Sequence, residues 1–202
     1  YRADYIAATK LSNHDEDRVG STLGRSISKL KLAGAMLLTC DGQPYIYQGE
    51  ELGYWGTKSG GDEYVRGPVM RNSDGSNMAD KAVGRTDRSM LTPSISVESQ
   101  LQDQSSVLNM YRQLGSLRAK YKALAAGNLG YCAAASSNRQ VAAWYREYDG
   151  QKVLVVHNLG GGQTSVSFSN DRLSEKIWSN GTVTVNDNKV SLGAYASAIF
   201  LL

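Results

Sequence analysis

The sequence predicts an α/β segment built on a parallel strand–helix–strand unit, followed by an all-β antiparallel sandwich. Three observations carry that reading. Two short apolar runs, Tyr5–Leu11 and Tyr45–Gln48, flank a stretch whose apolar residues recur at three- and four-residue spacing, the pattern of a βαβ unit. Beyond Gly127 the period falls to two, and turn pairs such as Asp149-Gly150 and Asn180-Gly181 punctuate the runs. The 202 residues are 41% hydrophobic and 20% charged with three prolines, enough to bury a core and unlike a disordered, collagen-like or coiled-coil chain.

Taken in order, Tyr5–Leu11 reads as a short buried strand that runs into the polar Ser12-Asn13-His14-Asp15. Val19–Thr39 reads as one helix, with Leu23, Ile27, Leu30, Ala33 and Leu37 on one face and Arg25, Lys29 and Lys31 between them. Cys40-Asp41-Gly42-Gln43-Pro44 is turn material before the second strand. From residue 49 to 104 Gly, Ser, Asn and Asp dominate, and periodic apolar positions are few. Compact domains rarely carry so long a connection without a functional reason. Ser106 is placed to cap the next helix, which Val107, Met110, Tyr111, Leu114, Leu117, Tyr121 and Leu124 line.

The strands expected of the sandwich are Tyr131–Ala135, Val141–Glu147, Lys152–His157, Thr164–Phe168, Lys176–Trp178, Thr182–Val185 and Ser197–Leu202. Gly160-Gly161-Gly162 has no helix after it, so it reads as a hairpin turn rather than a phosphate cradle. His157, at a strand end with no partner nearby in sequence, reads as structural. The domain division falls at 126/127.

Charge and cysteine usage narrow the class. The net charge of +3 is uneven: residues 1–104 hold 12 Lys and Arg against 14 Asp and Glu, and residues 105–202 hold 10 against 5. No basic run interleaved with aromatics appears, which argues against nucleic acid as a partner. Cys40 and Cys132 form no CxxC unit and no metal spacing, and they read as small buried hydrophobes. No run reaches the ~20 apolar residues of a membrane span. The chain opens at Tyr1 with no initiator Met and no signal segment, the appearance of a cut start.

The cluster Asn13-His14-Asp15-Glu16-Asp17-Arg18 admits two readings by itself. It is either a solvated acidic face or a set of side chains at the carboxyl end of a parallel strand, where α/β barrels project their catalytic groups. Asp15 and Asp17 find nothing to complete a metal shell, so no metal is assigned. Gly42-Gln43-Pro44-Tyr45-Ile46-Tyr47-Gln48-Gly49-Glu50-Glu51, one helix later, changes the weighing. Together the two elements resemble glycoside hydrolase family 13, the α-amylase family. Leu11–Asp15 resembles that family's segment at the end of barrel strand seven, and Pro44–Glu51 its eighth strand. The helix between them then corresponds to barrel helix seven, and Leu108–Leu124 to the last barrel helix. Tyr64-Val65-Arg66-Gly67-Pro68 resembles the Arg-x-Pro loop after strand eight, and the sandwich resembles the C-terminal domain. In detail the chain is most similar to α-amylases of bacterial starch-utilisation systems.

The resemblance implies a fold class and a chemistry. The fold is the remnant of a TIM-type (β/α)8 barrel, its last strands and helices, followed by an all-β antiparallel sandwich. The function is that of a retaining α-glucan hydrolase acting on starch or maltooligosaccharides. Its carboxylate nucleophile and acid follow strands four and five, both ahead of the segment ending at Asp15, so the chain alone is expected to be inactive. Asp15 corresponds to the third acid, which stabilises the oxocarbenium-like transition state. His14 would donate to hydroxyls of the same sugar, Asn13 would fix the loop, and Arg66 would help to hold a terminal glucose. After Arg66 the chain reads Pro68-Val69-Met70-Arg71-Asn72 where the family usually has Pro-Met-Gln-Trp. Glu50 and Glu51 read as structural or rim residues, because adjacent strand residues point to opposite sides. Tyr54 and Trp55 either stack on sugar rings or plug the loop.

The resemblance brings no cofactor to this chain and leaves room for calcium in the part of the barrel that precedes it. The implied partners are an α-glucan substrate and that preceding barrel portion, in a secreted, periplasmic or cell-surface setting. The alternatives are a non-catalytic carbohydrate-binding or interaction module, or a piece of an α-glucosidase or oligo-1,6-glucosidase. The intact Asn-His-Asp element favours the hydrolase, since a binding module has no need of it.

Overall fold

Ala8–Lys10 forms strand β1 and Gln43–Tyr45 strand β2, paired in parallel with Thr9 opposite Pro44. Pro44 has no N–H to give to a ladder, and among the described residues its strand has a neighbour on one side only. The computed structural model describes residues 6–78 and 89–202. The Tyr5 end of the first expected strand and residues 79–88 of the long connection lie outside the described residues. The chain divides into two compact units, residues 1–37 with 43–113 and residues 38–42 with 114–202.

In the first unit the helix expected over Val19–Thr39 is two helices, α1 at Val19–Thr22 and α2 at Ile27–Thr39. Gly24 and Arg25 both take positive φ, at 66° and 61°. Two consecutive left-handed residues cannot continue a right-handed helix, so α1 ends there. On α2, Gly34 lies so close to the Tyr111 ring that an added Cβ would sit 2.6 Å from it. The second strand is Gln43–Tyr45, earlier than the expected Tyr45–Gln48, and a turn at Gly49, where φ is 85°, leads into the long connection.

The long connection is better ordered than its composition indicates. It contains short 3-10 turns at Glu50–Leu52, Lys58–Gly60, Asp62–Tyr64 and Pro93–Ile95, and helix α3 at Val97–Gln102. Leu52, Tyr54 and Met90 are buried together, with Trp55 and Leu108 packed against them. Tyr54 therefore plugs the loop, and its hydroxyl accepts the Met70 N–H at 2.9 Å. The helix expected from Val107 runs as α4, Val107–Lys120, and α5, Lys122–Ala126, parted at Tyr121. Ser106 caps α4 as expected, its Oγ accepting the Asn109 N–H at 3.1 Å.

The second unit is a two-sheet sandwich. One sheet holds β3 (Asn128–Tyr131), β4 (Val141–Tyr148), β5 (Gln151–Asn158), β10 (Ser197–Leu201) and β7 (Glu175–Asn180), in that order. The other holds β6 (Thr164–Ser167), β9 (Lys189–Leu192) and β8 (Val183–Asn186). All of their pairings are antiparallel. Leu154, Val156, Ala198 and Phe200 from the first sheet meet Val166, Val190 and Leu192 from the second in one buried core.

Three expectations are corrected here. The first sandwich strand is Asn128–Tyr131, while Ala133–Ala135 is a 3-10 turn. Lys189–Leu192 is a strand additional to those expected. Gly160-Gly161-Gly162 joins β5 to β6, which belong to different sheets, so it is a crossover and not a hairpin turn.

His157 is structural. Its ring is fully buried, with Nδ1 2.7 Å from Ser197 Oγ, Nε2 3.4 Å from Thr39 Oγ1, and the Trp144 ring 4.8 Å away. Burial holds its pKa down at about 3. An unfolded His titrates near ~6.5, so between those values the unfolded chain binds the extra proton and stability falls with falling pH. The wild-type protein should lose about 2 kcal/mol through this residue between pH 7 and pH 5. Urea unfolding of the wild type and of His157→Gln at both pH values checks this. The expected result is a shallower pH dependence in the variant, and parallel curves would contradict it.

Candidate active site

Asp15 follows β1 by five residues, in a turn stitched by its own backbone: its N–H donates to Asn13 Oδ1 at 2.8 Å. The Asp15 carboxylate is half-exposed and flanked by two cations and a histidine. Arg66 Nη2 lies 2.9 Å from Oδ1, Lys58 Nζ 3.6 Å from Oδ1, and His14 Nε2 3.1 Å from Oδ2. Arg66 is itself held on two further sides, by the His14 carbonyl at 3.1 Å and Asp62 Oδ2 at 2.7 Å. Asn13, His14, Asp15 and Arg66 thus come together, although Arg66 is 51 positions beyond Asp15.

Lys58 and Asp62 join this cluster without having been singled out in the sequence. Lys58 Nζ meets Asp62 Oδ1 at 3.0 Å, and its backbone N–H donates to Asp17 Oδ1 at 2.6 Å. The Lys58 hydrogen bond holds the Asp62 carboxyl below its ordinary pKa, and Asp62 in turn raises that of Lys58. The available signal was the spacing Lys58, Asp62, Arg66, four residues apart each time. Charges this exposed contribute little to stability, since water screens them. Arg66 and Lys58 both lie on the Oδ1 side of the Asp15 carboxylate.

Beneath the cluster Arg18 is almost wholly buried. Its Nε donates to the Val65 carbonyl at 2.9 Å and its Nη1 to the Gln48 carbonyl at 2.7 Å. Its guanidinium lies 4.4 Å from the Tyr47 ring centroid and 5.6 Å from that of Tyr54, close enough for cation–π attraction. One side chain thereby ties the segment after Asp15 to the residue before Arg66.

Glu50 is also interior, and the reason differs from the one expected. It lies in a 3-10 turn rather than a strand, so the two neighbouring acids are not on opposite faces of a sheet. Its Oε2 accepts Ser12 Oγ at 3.1 Å and its Oε1 accepts the Tyr111 hydroxyl at 3.0 Å, while Glu51 Oε2 accepts the Gly49 N–H at 3.0 Å. Burial pushes the Glu50 carboxyl up to about 7, against the pull of the two hydroxyls. Trp55 packs on the loop core with Arg25 4.7 Å from its ring. Among the described residues no group of three or more His, Cys, Asp or Glu side chains gathers as a metal site. No helix among them is long and apolar enough to cross a membrane.

A parallel strand–helix–strand unit with a carboxylate cluster beyond the carboxyl end of its first strand, followed in the chain by an antiparallel sandwich, is the arrangement of a barrel portion and a β domain. Residues 1–127 match the α-amylase catalytic-domain family, and residues 141–199 match the C-terminal domain of the α-amylase SusG. The chain belongs to the α-amylase family.

It is 44% identical to the α-amylase SusG of Bacteroides thetaiotaomicron over its whole length, which is 30% of that protein. It is 32% identical to α-amylase 3 of Dictyoglomus thermophilum over 97% of its length and 38% of that relative. Among solved structures, the α-amylase from H. orenii superposes with a TM-score of 0.76 at 26% identity, covering 98% of this chain and 40% of that one. The chain thus spans about a third of the length of these curated relatives. The barrel-remnant and sandwich architecture is that of these enzymes.

Proposed function

We propose that this chain supplies the last strands and helices of the catalytic barrel, residues 1–126, and the C-terminal domain, residues 127–202, of a retaining α-glucan hydrolase acting on starch and maltooligosaccharides. The division is supported by the family matches over 1–127 and 141–199. The observation that carries the reading is the Asp15 carboxylate, accessible beyond the end of β1 and aimed by Arg66 and His14. In this reading Asp15 stabilises the positive charge that develops on the sugar ring. His14 donates to hydroxyls of the same sugar, Asn13 fixes the turn, and Arg66 holds the carboxylate and the edge of the subsite.

The nucleophile and the general acid come from the preceding part of the barrel, and retention needs them roughly 5 Å apart. Exposed apolar residues beside the two-stranded sheet, Ile6, Tyr45 and Ile46, are surface that further barrel strands would cover. No cofactor is proposed for this chain.

The experiment compares the full-length protein with the isolated 202-residue chain. The full-length protein is expected to release reducing sugar from maltooligosaccharides with the α-anomer formed first. The isolated chain is expected to show no turnover above buffer. Hydrolysis by the chain alone, free of contaminating enzyme, would contradict the assignment of the missing carboxylates.

A further inference from the structure

Ser12 sits immediately before Asn13-His14-Asp15 and is 2% exposed, so its hydroxyl has to be satisfied from inside the unit. The group that satisfies it is Glu50, at 3.1 Å and likewise 2% exposed. The other oxygen of that carboxyl takes the hydroxyl of Tyr111, on α4, at 3.0 Å. Gly34 makes this possible, since any Cβ there would strike the Tyr111 ring. Arg18 and Glu51 also act on Glu50 electrostatically, but its direct side-chain partners are these two hydroxyls. The result is a bridge in which a helix holds a carboxyl group, and the carboxyl group holds the start of the Asp15 turn.

We infer that Glu50 is a positioning residue for the Asp15 turn, acting through Ser12; the inference rests on the reading of Asp15 as the transition-state stabiliser. The two hydroxyls on one carboxyl group supply an internal control. The Ser12 arm ends three residues from Asp15. The Tyr111 arm ends in a helix. A purely structural role for Glu50 would make the two arms equivalent. A positioning role makes the rate depend on the Ser12 arm, because a small displacement of a charged group in the transition state costs rate out of proportion to its cost in binding.

The test uses the full-length protein with a maltooligosaccharide substrate and the variants Ser12→Ala, Glu50→Gln, their double, Tyr111→Phe and Asp15→Asn. Ser12→Ala and Glu50→Gln should each lower kcat about tenfold with KM within about threefold. The double variant should be no slower than the slower single, since both substitutions act on the same Ser12–Glu50 contact. Tyr111→Phe should lower Tm while kcat stays within about twofold. If Glu50→Gln does not fold, Ser12→Ala against Tyr111→Phe decides the matter alone.

A folded Ser12→Ala with kcat within about twofold of wild type, or single effects that multiply in the double, would overturn the inference. If that happens while Asp15→Asn is inactive, the role of Asp15 stands and the bridge is structural. If Asp15→Asn keeps wild-type turnover, both readings fall.

Discussion

In the full-length protein, Asp15→Asn is expected to lower kcat at least about 100-fold, on the scale of removing one electrostatic stabiliser from a transition state. The substitution keeps the size of the side chain and one acceptor oxygen. It removes the charge that Arg66, Lys58 and His14 surround at 2.9, 3.6 and 3.1 Å. Because those groups are half-exposed, their loss of a partner is absorbed by water and the fold should survive. KM should change little, since the charge matters mainly once the sugar ring becomes cationic. Steady-state kinetics with a maltooligosaccharide, alongside a thermal melt, checks both halves. A near-normal kcat in a folded variant would remove Asp15 from the chemistry.

The largest loss of stability is expected at Arg146, the fully buried arginine of β4. Its Nε and Nη2 donate to the Gly127 carbonyl at 3.2 and 2.7 Å, and its Nη1 donates to the Thr39 carbonyl at 2.9 Å and to that of Cys40. Asp41 lies 3.8 Å away. The Thr39 carbonyl keeps a second donor in Trp144 Nε1, at 3.1 Å. Methionine in place of Arg146 fills much of the volume but leaves the Gly127 and Cys40 carbonyls without this donor. The Gly127 acceptor is buried and the Cys40 one only partly so, and an orphaned buried acceptor costs about 1–3 kcal/mol, so Arg146→Met should destabilise the sandwich unit by about 3 kcal/mol. Arg146→Lys keeps a charge yet reaches fewer carbonyls, and it should fall in between. Urea midpoints of the three proteins order the series. A loss below about 1 kcal/mol for Arg146→Met would contradict this account of its contacts.

The sequence carried the architecture where one periodicity governs a whole element. Leu30 and Leu37 recur along α2, and Leu154 and Val156 alternate along β5, in ways that packing then satisfies. The bounds of β5, Gln151–Asn158, lie within one residue of those expected at each end. A single backbone angle decides where helix periodicity breaks. Gly24 was visible in the chain, but its left-handed partner Arg25 was not, and the pair splits the helix. Strand β9 had its signals, Val190 and Leu192 alternating with Lys189 and Ser191 just after Asp187 at φ 51°. Four residues of alternation are too short to stand out. The site divides in the same way. Asn13, His14 and Asp15 are proposed from their contiguity and Arg66 from its resemblance to a known loop, and the four lie together in the fold. The Ser12–Glu50–Tyr111 bridge joins positions 38 and 61 residues apart, and no local spacing announces it. Long-range hydrogen bonds of that kind are written in the fold rather than in any window of the chain.

The measurement that bears most directly on the central claim is a comparison of two affinities in the full-length wild type and Asp15→Asn. One ligand is an unreactive maltooligosaccharide that resembles the ground state. The other is a half-chair amino-sugar inhibitor whose cationic ring resembles the transition state. If Asp15 acts on the developing charge, the inhibitor should bind the variant at least about 100-fold more weakly, in step with kcat/KM. The maltooligosaccharide should change by no more than about threefold. Equal losses for both ligands, or no loss for the inhibitor, would show that Asp15 does no more than bind sugar.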